Sequence, residues 1–182
     1  MKTAFIIHGT GSTPSSNWFQ SVGENLQDRG YTVIIPAFPI GEEQNLENWK
    51  AKFEDYKKYI NTETIFIAHS IAPSFVCSIL EEIDMQVKAC YFVSGFIWDL
   101  GLAEFKKPNE TFSERKFNWE KIRNNSKKFY MCHADDDPYV PMKFAQDLAD
   151  NLSVEIDVIS GGEHLNEPAG YTDFPYLLQQ IK

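Results

Sequence analysis

The stretch Ile65-Phe66-Ile67-Ala68-His69-Ser70-Ile71-Ala72 decides how this chain is read. Thr64–Ala68 is an almost wholly apolar run of strand length, and the apolar spacing from Ile71 to Ile83 is helical. A buried strand therefore runs straight into a helix, with Ser70 near the turn between them. Small residues stand two before and two after the serine, Ala68 and Ala72, so strand and helix can approach closely. A turn this sharp exposes the serine hydroxyl above the end of the strand. The helix N-terminus beside it offers unpaired N–H groups and the positive end of a dipole, which suit a developing oxyanion. A serine in this position can also be a simple helix cap. The rest of the chain separates the two readings.

Outward from that stretch, apolar runs alternate with segments of helical period. Thr3–Ile7, Tyr31–Ile35, Val87–Val93, Lys128–His133 and Val154–Ile159 join Thr64–Ala68 as expected strands. Most are nearly continuous in apolar residues, the pattern of parallel strands covered on both faces. Asn17–Arg29, Leu46–Ile60, Ile71–Ile83, Pro141–Leu152 and Thr172–Ile181 are the expected helices. In the second, Trp49, Phe53, Tyr56 and Ile60 form one stripe, and Pro141 opens the fourth. Strands and helices alternating at these lengths predict an α/β protein, a three-layer α/β/α sandwich around a six-stranded parallel sheet. No repeat or composition break divides residues 1–182, which are read as one domain. Ser94 to Asn125 is the exception to the alternation. It mixes Phe96, Trp98, Leu100, Phe105, Phe112, Phe117 and Trp119 with charged residues and Pro108. Too long for a crossover and too aromatic for a linker, residues 96–119 are expected to be a lid-like insertion.

Two further loops carry chemistry. After the fifth strand comes His133-Ala134-Asp135-Asp136-Asp137-Pro138-Tyr139-Val140-Pro141, and after the sixth Ser160-Gly161-Gly162-Glu163-His164-Leu165. Both lie where a parallel sheet presents its carboxyl ends, the usual position of a ligand site. Serine, acid and histidine in this chain order match the nucleophile, orienting acid and general base of α/β-hydrolases. Ser70, Asp137 and His164 are the candidate catalytic residues. Among the three acids, Asp137 is favoured because the residue before a proline is held in an extended conformation. Asp136 is its nearest competitor. After the first strand, His8-Gly9-Thr10-Gly11 supplies a loop able to offer a second oxyanion N–H, that of Thr10, beside that of Ile71. The same loop is not a dinucleotide fingerprint, since Pro14 occupies the slot of the third glycine.

The remaining polar residues have plainer readings. His8, His69 and His133 are expected to be structural, with His69 pointing away from Ser70, and Glu163 to be solvated. His133 with Asp135, Asp136 and Asp137 has the donor types of a divalent-ion site, but adjacent acids rarely converge on one ion. No metal and no organic cofactor is expected. The net charge of −9, from 17 basic and 26 acidic side chains, argues against nucleic acid and anionic membrane as partners. Nothing approaches the ~20 apolar residues of a membrane span, and the apolar run after Met1 is shorter than the roughly 7–15 residues of a signal-peptide core. Cys77, Cys90 and Cys132 are an odd number set in apolar segments, which suggests reduced thiols and a cytoplasmic protein.

Taken as a set, His8-Gly9-Thr10-Gly11, His69-Ser70, Asp136-Asp137-Pro138-Tyr139-Val140-Pro141 and Gly162-Glu163-His164-Leu165-Asn166 resemble the small serine hydrolases related to retinoblastoma-binding protein nine and its bacterial relatives. The resemblance implies a reduced α/β-hydrolase lacking the first two antiparallel strands of larger members, with sheet order 2-1-3-4-5-6. It also implies action on small esters or amides, aminopeptidase-like in some members. The departure from the common pattern is alanine, not glycine, at positions 68 and 72. The reading is thus a serine hydrolase acting on a small-molecule ester or amide through an acyl-enzyme, with any protein partner left open. A binding protein on a hydrolase scaffold is the alternative, and a metal-dependent hydrolase using the acidic loop is a third. Reaction with a serine-directed fluorophosphonate separates the first from the other two.

Overall fold

The computed structural model describes residues 1–113 and 115–182. In chain order the elements are β1 (Lys2–Ile7), α1 (Phe19–Asp28), β2 (Tyr31–Ile34), α2 (Leu46–Lys57), β3 (Ile65–His69), α3 (Ala72–Glu82) and β4 (Ala89–Val93). They continue with α4 (Ala103–Ser113), α5 (Trp119–Asn124), β5 (Phe129–Ala134), α6 (Met142–Leu152), β6 (Ile156–Ile159) and α7 (Pro175–Gln180). Two short 3₁₀ turns, Gly41–Glu43 and Glu167–Ala169, sit in loops. The six strands form one sheet in the order β2-β1-β3-β4-β5-β6, every neighbour parallel. This is the three-layer α/β class expected from the sequence, with the strand order that the family resemblance implies.

Alternation along the strands builds two cores. Phe5, Ile7, Phe66, Ala68, Cys90 and Phe92 face one side, where they meet the buried residues of α2, α3, α5 and α6. Ala4, Ile6, Ile65, Ile67, Tyr91 and Val93 face the other, against Phe19, Val22 and Leu26 of α1 and Leu177 and Leu178 of α7. Because both faces are covered, the central strands are apolar along most of their length, which is why their sequences read as nearly continuous runs. Cys77, Cys90 and Cys132 are all buried and free. Among the described residues no helix is long and apolar enough to cross a membrane.

The segment between β4 and β5 is the one expected to be a lid-like insertion. Its described residues include two helices, α4 and α5, which the apolar spacing of the sequence does not announce. Pro108 lies inside α4 and removes one N–H from its ladder, the usual mark of a helix break. Packing overrides that signal: Phe112 is fully buried, with its ring 4.9 Å from that of Trp49 on α2. Elsewhere the differences are at element ends. β3 runs one residue further than expected and includes His69, and α7 is shortened to begin at Pro175.

Topology positions the site. The chain leaves β1 for β2 on one side and crosses back to β3 on the other, so β1 and β3 are neighbours whose following loops diverge. A crevice opens at such a switch point, at the carboxyl ends of the strands. The loops after β1, β3, β4, β5 and β6 all end there.

Candidate active site

Ser70 follows β3 directly, with φ of +63°. A non-glycine residue held in this region costs about 1–3 kcal/mol, and the surroundings must overdetermine it. They do so through the backbone: Ser70 N–H donates to Val93 O at 3.0 Å, and Phe96 N–H donates to Ser70 O at 3.3 Å. Ala68 and Ala72 are fully buried where strand and helix meet, so alanine satisfies the size limit that glycine usually meets. Gly9 is needed for a related reason. A Cβ there would stand 2.8 Å from Ser70 Cβ, so the loop after β1 can lie against the serine only as glycine. Asn17, Ser94, Glu163 and Leu165 share the positive φ of Ser70, and all belong to loops at this end of the sheet.

His164 lies between two of these left-handed residues. Its Nδ1 is 2.8 Å from Asp137 Oδ2, and its Nε2 is 3.2 Å from Ser70 Oγ. Since a carboxylate only accepts, Nδ1 carries the proton and Nε2 is left to accept from the hydroxyl. The His164 backbone is pinned as tightly as its ring. His69 Nε2 is 3.0 Å from the carbonyl of His164, Ser94 Oγ donates to the same oxygen, and Trp18 Nε1 donates to Leu165 O at 2.8 Å. His69 thus turns away from Ser70 and holds the loop that carries His164. Burial beside His164 pushes the His69 pKa down to about 3, so it stays neutral.

The three adjacent acids diverge. Asp135 accepts from Ser160 Oγ and Gly161 N–H, and Asp136 accepts from Glu163 N–H, both at the exposed rim. Asp137 alone turns inward, its side chain 1% exposed. Its Oδ1 accepts the N–H groups of Tyr139 and Val140, each at 2.9 Å, which leaves Oδ2 for His164. Burial would raise its pKa, but the hydrogen bond and charge of His164, with the two N–H groups, outweigh that and lower it. Nearby, His133 Nε2 donates to Val140 O at 2.8 Å and braces the same loop. His8 accepts from Phe38 N–H at Nε2 and bonds Gly9 O through Nδ1. Among the described residues no group of three or more His, Cys, Asp or Glu gathers as a metal site.

Beside Ser70 the N–H groups of Thr10 and Ile71 donate to no protein acceptor among the described residues. The serine opens on a cavity of about 280 Å³. One part of its wall is apolar, from Phe96, Leu100, Phe105, Tyr139 and Val140. Another is polar, from Ser12, Ser16, Asn17, Asn166 and Glu167. Tyr139 meets the His164 ring edge-on at 5.1 Å, and Phe105 meets Tyr139 at 5.9 Å. A hydroxyl aligned with an imidazole acceptor, that imidazole held by a buried carboxylate, and two free N–H groups can together carry out acyl transfer.

The sequence reading had no role for Gln44 and Asn109, which cluster with Thr10 through side-chain hydrogen bonds. Asn109 follows Pro108 in a stretch that looks irregular, and Gln44 stands alone between two loops. No local pattern marks either one.

The sequence pattern that defines the serine hydrolase family matches residues 4–182. The chain is 26% identical to the serine hydrolase RBBP9 of Rattus norvegicus over 176 residues, covering 96% of this chain and 90% of that protein. Its fold is similar to the crystal structure of the ydeN gene product of Bacillus subtilis, with a TM-score of 0.91 and 26% identity. That match spans 100% of this chain and 97% of the other. Est1E of Butyrivibrio proteoclasticus, solved with ferulic acid bound, shares the fold at a TM-score of 0.71 and 18% identity, over 100% of this chain and 90% of that one.

Proposed function

The chain belongs to the serine hydrolase family, and from that premise we propose that Ser70 attacks the carbonyl of a small ester or amide to form an acyl-enzyme. His164 takes the Ser70 proton through Nε2 and returns it to the leaving group. Asp137 fixes the tautomer and stabilises the imidazolium. The N–H groups of Thr10 and Ile71 receive the oxyanion. Water, activated by the same imidazole, then releases the acid and restores Ser70. The observation that carries this reading is the unbroken path from Asp137 Oδ2 to His164 at 2.8 Å and on to Ser70 Oγ at 3.2 Å, at the floor of a cavity.

Residues 1–182 work here as one domain, with the 96–119 insertion forming part of the wall over Ser70. The cavity volume of about 280 Å³ restricts the buried part of the substrate to a small group, and Phe96, Leu100 and Phe105 favour an apolar one. The three buried free thiols suit a reducing compartment, which supports a cytoplasmic setting. The test is reaction with a serine-directed fluorophosphonate, followed by turnover of p-nitrophenyl esters of graded acyl length and of aminoacyl amides. Label on Ser70 with turnover of short esters supports the reading. An unlabelled Ser70 with no turnover returns the protein to the scaffold-only alternative.

A further inference from the structure

Thr10 is held by two residues that hydrogen-bond to neither Ser70 nor His164: Asn109, which itself lines the cavity, and Gln44, which lies outside it. Thr10 Oγ1 donates to Asn109 Oδ1 at 2.6 Å, while Gln44 Nε2 reaches Thr10 Oγ1 at 3.2 Å and Asn109 Oδ1 at 3.1 Å. The Gln44 amide also donates to Pro108 O at 3.3 Å, and its Oε1 accepts the Gly11 N–H at 3.2 Å. Gln44 is 3% exposed and Asn109 7%, so these are buried polar groups that hold each other where water is largely excluded. The three come from separate elements: the loop after β1, the turn before α2, and α4. The Thr10 hydroxyl is committed to Asn109, while the N–H of Thr10, a residue of the cavity wall, has no protein acceptor among the described residues.

We propose that Asn109, backed by Gln44, is a positioning residue that sets the Thr10 N–H at the oxyanion site, so that turnover depends on α4 being seated. The proposal rests on the hydrolase reading above. An oxyanion donor works only when fixed where charge develops, because reorganisation during the reaction would cancel its gain. Gly9 and Gly11, on either side of Thr10, leave that loop little conformational restraint of its own. The Asn109 and Gln44 amides supply the restraint from outside. Since α4 also carries Phe105 into the cavity wall, the helix that shapes the pocket also tunes the reactive centre.

The experiment compares the full chain with Asn109→Leu, which keeps bulk and removes the acceptor, and with Gln44→Met as a second, milder variant. Short p-nitrophenyl esters give kcat and KM. A trifluoromethyl ketone, which forms a charged tetrahedral adduct on the serine, reports oxyanion affinity. Removing an oxyanion donor outright costs about 10²–10³ in kcat, so displacing one in Asn109→Leu is expected to cost about 10–100-fold. KM should stay within about threefold, and trifluoromethyl ketone affinity should fall by the same factor as kcat. The shape of the pH profile should not change, since Asn109 does not touch His164. Gln44→Met should show the same pattern, less strongly. A kcat within about twofold of the parent in both variants overturns the proposal while leaving the hydrolase reading intact, provided Ser70 is still labelled. A rise in KM alone, or a loss of kcat without loss of ketone affinity, also overturns it and makes Asn109 merely structural. Absence of labelling and turnover in the parent overturns both.

Discussion

The loop carrying His164 and helix α4 face each other across one cavity, and they are held by different means. The loop is fixed through its backbone. Glu163 and Leu165 adopt left-handed conformations on either side of His164, and the carbonyls of His164 and Leu165 accept from His69, Ser94 and Trp18. Helix α4 is fixed mainly by side chains. Phe112 packs against Trp49, Thr111 accepts from the N–H of Leu46, and Asn109 meets Thr10 and Gln44. A reacting imidazole must stay within tenths of an ångström of its target. Bonds to the His164 and Leu165 carbonyls from buried side chains hold that backbone independently of the rotamer of His164 itself. A pocket wall tolerates more play. Substitutions on the loop side should therefore strike chemistry, whereas on α4 a wall residue such as Phe105 should strike selectivity and only Asn109, through Thr10, should reach kcat.

The sharpest way to break that contrast is at its centre. Ser70→Ala is expected to lower kcat by on the order of 10⁶ and to abolish fluorophosphonate labelling, because serine and imidazole act as a unit. Full turnover in that variant, measured on p-nitrophenyl acetate, would remove the loop side from the chemistry altogether. Next in size is Asp137→Asn, expected to cost about 10³–10⁴ in kcat by favouring the wrong imidazole tautomer. Asp135→Asn and Asp136→Asn should stay within about threefold, since each accepts only rim groups and asparagine keeps an acceptor oxygen. Assaying the three on one ester tells whether the inward turn of Asp137 carries function.

On the α4 side, Phe105→Ala is expected to change KM more than kcat. It should raise KM for esters with larger apolar acyl groups by about 3–10-fold while leaving kcat for the acetyl ester within about threefold. An equal loss of kcat on every ester would erase the distinction between the two sides.

The smallest effect concerns pH and stability. His8, His69 and His133 are all buried with pKa values lowered from 6.5, chiefly by desolvation. Below about pH 6.5 the unfolded chain takes up protons that the folded chain refuses, so stability falls as pH falls. Asp137, whose pKa is lowered, adds a loss of the same sign at lower pH, as its carboxylate is protonated. Thermal unfolding should show Tm falling by a few degrees between about pH 7 and about pH 5. His69→Gln should flatten that slope, and Asn109→Leu should leave it unchanged. A slope altered by Asn109→Leu would mean that α4 is coupled to the buried histidines.

How much could be read in advance follows the same division. Strand and helix alternation, the all-parallel sheet and the turn at Ser70 were legible, since each rests on local periodicity and on which residues are small. The limits of β3 and α7 were off by a few residues, because end positions depend on neighbours that a periodicity does not include. The helical character of α4 was not legible. Pro108 and the mixed polarity around it argue for a break, and only the burial of Phe112 against α2 outweighs them.

By itself, then, the sequence determined most of the elements, their parallel arrangement, and the loops in which Ser70, the acids and His164 would lie. The order of the strands came from the family resemblance. Periods of two and 3.6 residues, glycine and proline placement, and the fixed hand of parallel crossovers act over short stretches of chain. Only the tertiary structure decided which oxygen of which acid stands at His164, and that Gln44 and Asn109 close around Thr10. The Thr10–Asn109 bond joins residues 99 positions apart, and Thr10–Gln44 joins residues 34 apart. Such contacts form because three packed elements bring their polar groups into one nearly dry space, where each must find a partner.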